Sequence, residues 1–262
     1  MDYKLISMDF DGTLLTSNKK VTKKNKEILL KLKKENHIIV GITARNLSSV
    51  INVCDINMFN YLILNNGAYI YNVKKQDVIT ISELDKDKIS RITNYFEKDA
   101  DEIDFCSLNK YYVYLNENID NRDFFEKIKS IEEIKEKIVR INIFPKENKK
   151  IKEYIEFIRN NFNDLEVIKM SDTDNKSNKK WIVLTSKGTN KLETLKILCL
   201  KLNIDINNVI FFGDGGNDLS IISNVGLGVA MENALEEVKD KAKDTTLSND
   251  ENGIAYFLEK MT

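Results

Sequence analysis

One histidine, one proline and three cysteines are all that the 262 residues contain of these types, and each scarcity removes a class of chemistry. His37 stands immediately before the apolar stretch Ile38-Ile39-Val40-Gly41-Ile42, so a histidine triad or a cluster of histidine metal ligands is excluded. Cys54, Cys106 and Cys199 are far apart, odd in number and never in a C-x-x-C pair. They read as reduced thiols of a cytosolic protein. No apolar stretch is long enough to span a bilayer, and no signal peptide precedes the first strand. A cytoplasmic location with no membrane contact is therefore expected. Charge of either sign is not in excess, since 40 basic and 41 acidic residues leave a formal net charge of −1. No basic field calls for nucleic acid. The lysines between Lys19 and Lys34 interleave with Ile28, Leu29 and Leu32, as on the solvated face of an amphipathic helix. The lone proline, Pro145, closes a predicted strand, and no repeat or low-complexity linker stands out.

The chain does have apolar residues for a core, 42% of the total, enough for one large domain or two small ones. Its first apolar run, Tyr3 to Met8, reads as a short buried strand and runs into Asp9-Phe10-Asp11-Gly12-Thr13-Leu14. Carboxylates two residues apart point the same way along an extended backbone. Like charges this close repel, so the pair suggests a cation between them. Asp-x-Asp-Gly also opens a calcium loop, but that loop needs an acid or amide where Thr13 stands and a glutamate where Lys20 stands. Taken alone, the hexapeptide leaves a turn and a site about equally open.

The first third alternates strand and helix: a strand ending at Asp9, a helix from Lys23 to Glu35, a strand from Ile38 to Ile42, a helix from Leu47, and a strand Tyr61–Leu64. That order implies a parallel sheet. A hairpin follows, with strands Tyr69–Tyr71 and Val78–Ile81. From Glu83 the texture changes. The pattern predicts helix Lys86–Lys98, strands Glu102–Cys106 and Tyr111–Leu115, helix Asn121–Lys135, strand Ile138–Phe144, helix Asn148–Asn161, and strands Leu165–Lys169 and Lys180–Thr185. Adjacent strands with intervening helices imply an α+β unit, with an exposed hairpin tip at Asp172–Asn178. After Lys187 the βα alternation returns. It includes a strand Asn208–Phe212, a strand Gly228–Met231, a helix Ala234–Ala242 and a short strand at Thr245-Thr246. The expectation is an α/β, doubly wound, mostly parallel core from residues 1–82 and 186–262, with an inserted α+β domain at 83–185.

Four places in the predicted core share one position, at the carboxyl end of a strand or the start of a helix. They are Asp9 with Asp11, Thr43, Lys187, and Asp214 with Asn217 and Asp218. In a doubly wound sheet such ends converge on one crevice. Each alone has an ordinary explanation: Thr43 as a helix cap, Lys187 as a surface lysine, Asp214-Gly215-Gly216 as a turn. Together they assemble carboxylates, a hydroxyl, an ammonium and glycine-adjacent amides, which is the chemistry of a phosphate bound beside Mg2+.

With these residues in order, the sequence resembles the haloacid dehalogenase (HAD) superfamily of phosphatases, in its Cof-type branch. The resemblance rests on DFDGTL (Asp9, Asp11), ITAR (Thr43, with Ala44 where relatives often have glycine), SKGTN (Lys187) and GDGGND (Asp214, Asn217, Asp218). The turn Asn65-Asn66-Gly67-Ala68 and the segment Ala230 to Ala234 are also similar. Asp11 and Thr43 are 32 positions apart, room for one helix and one strand, whereas Thr43 and Lys187 are 144 apart. The insertion therefore lies between the second and third motifs, as in the type IIB cap that the resemblance implies.

The resemblance implies a Rossmann-like core and hydrolysis of small phosphomonoesters, sugar phosphates or phosphorylated cofactors, through an aspartyl-phosphate. On this reading Asp9 is the nucleophile and Asp11 the proton carrier. Mg2+ binds Asp9, Asp214 and the Asp11 carbonyl, with Asp218 orienting the metal or its waters. Lys187, Thr43 and Asn217 hold phosphoryl oxygens, the amides at Gly12 and Ala44 donate to them, and Arg45 either touches substrate or forms a structural ion pair. A phosphomutase on the same core is the alternative. A phospho-accepting receiver domain is remote, being far shorter and without such an insertion. The partner expected is a small phosphorylated metabolite, and monomer and homodimer are both compatible with the sequence.

Overall fold

The computed structural model describes residues 3–116, 124–171 and 179–261. It divides into two compact units, one of Met1–Arg45, Val50–Thr80 and Asn190–Thr262, the other of Asn46–Ser49 and Ile81–Thr189. In chain order the elements are β1 (Leu5–Met8), α1 (Lys23–Lys34), β2 (Ile38–Ile42), α2 (Leu47–Ile51), β3 (Tyr61–Leu64), β4 (Tyr69–Asn72) and β5 (Asp77–Ile81). Next come α3 (Lys86–Phe96), β6 (Ala100–Cys106), β7 (Tyr111–Tyr114), β8 (Phe125–Ile128), β9 (Arg140–Pro145), α4 (Ile151–Asn161), β10 (Leu165–Ser171) and β11 (Lys180–Ser186). The chain finishes with α5 (Lys191–Leu202), β12 (Val209–Gly213), α6 (Leu219–Ile222), β13 (Leu227–Ala230), α7 (Glu236–Lys239), β14 (Asp244–Thr245) and α8 (Gly253–Met261).

The first unit is built on an eight-stranded sheet in the order β14-β13-β12-β1-β2-β3-β4-β5. The strands from β14 to β3 are parallel, and β4 runs antiparallel to β3. β1 and β12 lie at the centre and are buried along their whole length, which is why both are largely apolar; the one hydroxyl, on Ser7 of β1, donates to Ile210 O. The chain moves outward through β2 and β3 on one side of β1 and through β12, β13 and β14 on the other. The crevice of a doubly wound sheet opens where the order reverses, at the carboxyl ends of β1 and β12. Register fixes what meets there: Met8 pairs with Phe212 and Gly41, so Asp9, Gly213-Asp214 and Ile42-Thr43 leave the sheet together.

The second unit has a six-stranded sheet in the order β10-β11-β9-β6-β7-β8. Ile89, Ile92 and Phe96 of α3 and Ile151, Tyr154 and Ile158 of α4 pack with Ile103, Phe105, Ile141, Ile143, Ile182 and Leu184 of the strands. One expectation fails here. The helix expected at Asn121–Lys135 is absent from its described part, which holds β8 parallel to β7 and a single turn of 3-10 helix at Ile131–Glu133. Phe124, Phe125, Ile128 and Ile131 have helical spacing, but they also fit an edge strand. Pairing with β7, with Phe125 stacked on Tyr111 at 5.0 Å between ring centroids, outweighs that local periodicity. The helix expected at Ala234–Ala242 is also shorter, ending at Lys239. Residues 121–123 and the expected hairpin tip at Asp172–Asn178 lie outside the described residues.

Candidate active site

The carboxyl end of β1 delivers Asp9 into the first unit with its backbone N–H bonded to Phe212 O and its side chain almost fully buried. Asp9 Oδ1 accepts a hydrogen bond from Lys191 Nζ at 2.5 Å, and the same ammonium donates to Asp218 Oδ1 at 2.8 Å. Asp218 Oδ2 in turn accepts from the backbone N–H groups of Asp214 and Gly215, each at 3.2 Å. Asp214 Oδ1 accepts from Thr13 Oγ1 at 2.6 Å. Oxygen atoms of Asp9, Asp214 and Asp218 lie within 4.8 Å of one another.

Gly12 makes this approach possible. Its φ is +82°, and a Cβ built there would fall 2.2 Å from Asp214 Oδ2. Asn233 Nδ2 ties the same turn down by donating to Gly12 O at 2.8 Å.

A single ammonium cannot neutralise two buried carboxylates and the half-buried Asp214 beside them. Lys191 is held firmly protonated, because the attraction of Asp9 and Asp218 outweighs its burial. The excess negative charge falls on the acids. Burial first, opposed by Lys191 and reinforced by Asp218 and Asp214, pushes the Asp9 carboxyl up to about 7. Burial and the nearby Asp218 push Asp214 up to about 6, against the hydrogen bond from Thr13. Hard oxygen donors whose ionisation is opposed by burial and by one another suit a hard divalent cation.

Asp11 belongs to a different contact. Arg45 Nε and Nη2 donate to its two carboxylate oxygens, each at 2.7 Å, and Lys19 Nζ donates to Oδ1 at 2.9 Å. Burial would raise this carboxyl, but the Arg45 fork and Lys19 outweigh it and hold it down at about 2. Thr43 is buried at the end of β2, where its Oγ1 accepts from the Arg45 backbone N–H. Ala44 is half-buried between them, and Asn217 is exposed in the turn Gly216–Asp218.

Lys187 requires a correction, because it is not the ammonium that meets Asp9. It is exposed, it is grouped with the second unit, and its backbone N–H donates to Asp164 O. Gly188, at φ +80°, turns the chain after β11, and Asn190 then caps α5 by accepting from the Glu193 N–H. This makes Lys191 the first helical residue and buries it to 3% exposure. The signal was present in Asn190-Lys191-Leu192-Glu193, a helix N-terminus of the form N-x-x-E. Thr13, Lys19 and Asn233 were also missed, since no local pattern tells which distant group a threonine, lysine or asparagine will meet.

Known proteins resemble this chain along almost its whole length. A family model of haloacid dehalogenase-like hydrolases matches residues 6–258. A 5-amino-6-(5-phospho-D-ribitylamino)uracil phosphatase of Bacillus subtilis is 28% identical over 256 residues, covering 97% of this chain and 94% of the relative. Among solved structures, a Thermotoga maritima protein, TM0651, superposes with a TM-score of 0.82 at 24% identity, covering 99% of this chain and 98% of the other. The HAD subclass IIB sugar phosphatase BT4131 has the same fold, with a TM-score of 0.74 at 22% identity and 98% of each chain covered. The chain belongs to the haloacid dehalogenase-like hydrolases and is an enzyme of their Cof-type phosphatase branch.

Proposed function

We propose that this protein is a Mg2+-dependent phosphatase that hydrolyses small phosphomonoesters through an aspartyl-phosphate on Asp9. The observation that carries the reading is the cluster of Asp9, Asp214 and Asp218 around the Lys191 ammonium. Mg2+ would be held by Asp9, Asp214 and the Asp11 carbonyl, with Asp218 orienting it, and when bound it neutralises charge on the acids and on the phosphoryl oxygens.

In the first half-reaction an Asp9 carboxylate oxygen attacks phosphorus, and the bond to the leaving oxygen breaks. Lys191 keeps Asp9 oriented and takes over the role expected of Lys187, balancing charge beside the phosphoryl group. The Thr43 hydroxyl, the Asn217 side chain and the amides at Gly12 and Ala44 donate to phosphoryl oxygens. In the second half-reaction Asp11 accepts a proton from water as the water attacks phosphorus and Asp9 is released. The ionised state in which Arg45 and Lys19 hold Asp11 suits this step. Proton donation to the leaving oxygen in the first step requires Asp11 to loosen from the Arg45 fork.

The test is hydrolysis of p-nitrophenyl phosphate and of a panel of sugar and cofactor phosphates. Activity should vanish with chelator, return with Mg2+ and return poorly with Ca2+, which favours more ligands and looser geometry. Asp9→Asn should be inactive on every ester. Full turnover after exhaustive chelation sinks the metal assignment, and turnover by Asp9→Asn sinks the nucleophile.

A further inference from the structure

Three consecutive residues with positive φ follow β3: Asn65 at +50°, Asn66 at +57° and Gly67 at +106°. Asparagine and glycine visit this region, but ordinarily one residue at a time. A run of three persists only where its surroundings fix it, and such strain gathers at functional sites. The surroundings here are the candidate phosphate site. Ile63 pairs with Ile42, so the turn leaves β3 beside the end of β2. The Asn65 backbone N–H donates to Arg45 O and the Asn66 N–H to Thr43 O, each at 3.0 Å. The turn thereby holds two carbonyls of the loop that carries the Thr43 hydroxyl and the Ala44 amide. Its other side meets α5. Thr194 Oγ1 donates to Gly67 O at 2.7 Å in buried surroundings. A helical threonine often turns its hydroxyl back on the carbonyl four residues earlier. Here Asn190 O accepts the Thr194 backbone N–H at 3.1 Å, and the hydroxyl reaches across to Gly67 instead. The approach is close, since a Cβ on Gly67 would fall 2.5 Å from Asn190 O and 2.8 Å from Thr194 Oγ1. Lys191, which meets Asp9, lies three residues before Thr194 and so on the same face of α5.

We propose that Thr194 is a positioning residue for phosphoryl transfer: through Gly67 and the turn before it, Thr194 holds the Thr43 and Ala44 donors in register with Lys191 and Asp9. Thr43 and Lys191 come from distant parts of the chain, and a phosphoryl group between them needs both in place at once. A misplacement of about 1 Å in such groups costs up to about 100-fold in rate. The Thr194 hydroxyl is the hydrogen bond that joins the two sides. Thr194→Val removes it at nearly constant shape and takes a donor from a buried carbonyl. The consequence for catalysis rests on the phosphatase reading, whereas the clamp itself does not.

The test compares p-nitrophenyl phosphate hydrolysis by the wild type and Thr194→Val, with the folded fraction under assay conditions fixed by urea unfolding. Turnover per folded enzyme should fall about tenfold, the worth of one hydrogen bond expressed in the transition state, with KM little changed. Thr194→Ser keeps the hydroxyl and should recover most of the loss. Thr194→Ala replaces the valine variant if that protein does not fold. Because Thr194 acts through Thr43, Thr194→Val made in a Thr43→Val background should cost clearly less than in the wild type. A purely structural threonine would lower the urea midpoint and leave the kcat of the folded enzyme unchanged, and that result overturns the proposal. So does an equal loss in both backgrounds. Amide hydrogen exchange at Asn65 and Asn66 reads the clamp without catalysis. It should quicken in Thr194→Val by more than the change in global stability, and exchange as slow as in the wild type overturns the proposal. A wild type that hydrolyses no phosphate ester removes the phosphatase reading, and the exchange result then decides whether Thr194 holds the turn.

Discussion

Lys191 Nζ lies 2.5 Å from Asp9 Oδ1 and 2.8 Å from Asp218 Oδ1, and all three side chains are buried. This ammonium is the only cation in direct contact with both acids among the described residues. Lys191→Met should therefore abolish phosphate-ester hydrolysis. It should also destabilise the protein, because removing one member of a buried charge pair costs about 3–5 kcal/mol. Lys187→Met should leave both p-nitrophenyl phosphate turnover and the melting temperature near wild type. The opposite pattern would return the catalytic role to Lys187.

Gly12 is predicted to admit no side chain. Gly12→Ala would put a methyl group 2.2 Å from Asp214 Oδ2 and force an L-residue into left-handed backbone, itself worth about 1–2 kcal/mol. Turnover should fall at least as far as in Asp214→Asn, with a loss of stability measurable by urea unfolding. An active, wild-type-stable Gly12→Ala protein would mean that the turn and Asp214 move apart freely.

The two aspartates of the first motif should fail differently. Asp11→Asn keeps the nucleophile but loses the group that activates water. Mixed with p-nitrophenyl phosphate, whose leaving group needs little protonation, it should release a burst of nitrophenol and retain the phosphoryl group. Intact-mass measurement should show one added phosphoryl group on Asp11→Asn and none on Asp9→Asn. Phosphorylation of Asp9→Asn would identify a different nucleophile.

Stability should carry a pH signature from Asp104. Burial, reinforced by Glu102, pushes its carboxyl from 3.8 up to about 8. The folded state thus holds a proton that the unfolded chain gives up near its ordinary value. The associated stability is full below the unfolded pKa and is lost as pH rises through about 8. The slope is at most about 1.4 kcal/mol per pH unit. Urea unfolding at pH 5 to 8 should show the wild type losing stability relative to Asp104→Asn as pH rises. Parallel curves for the two proteins would show that Asp104 ionises normally in the fold.

The sequence by itself determined the positions of Asp9, Asp11, Asp214 and Asp218 at strand ends. Fully buried parallel strands must be continuous apolar runs, and such runs ending in acid and glycine are visible locally. The α/β alternation of the first unit was legible for the same reason. The stretch around Phe125 was not, because helical and edge-strand spacing coincide over so few residues and only the partner strand β7 decides between them. The N-x-x-E pattern marks Lys191 as the first residue of a helix, but it does not say which of Lys187 and Lys191 meets Asp9. Both follow the same strand, and what distinguishes them is which one the cap at Asn190 turns toward Asp9. The division of labour among the acids was likewise left to the tertiary structure. Asp9 and Asp11 are two residues apart on one strand end, yet one meets a buried ammonium and the other the fork of Arg45. A residue's type and spacing fix the chemistry it can perform, whereas its ionisation and partners depend on groups that only folding brings within a few ångströms.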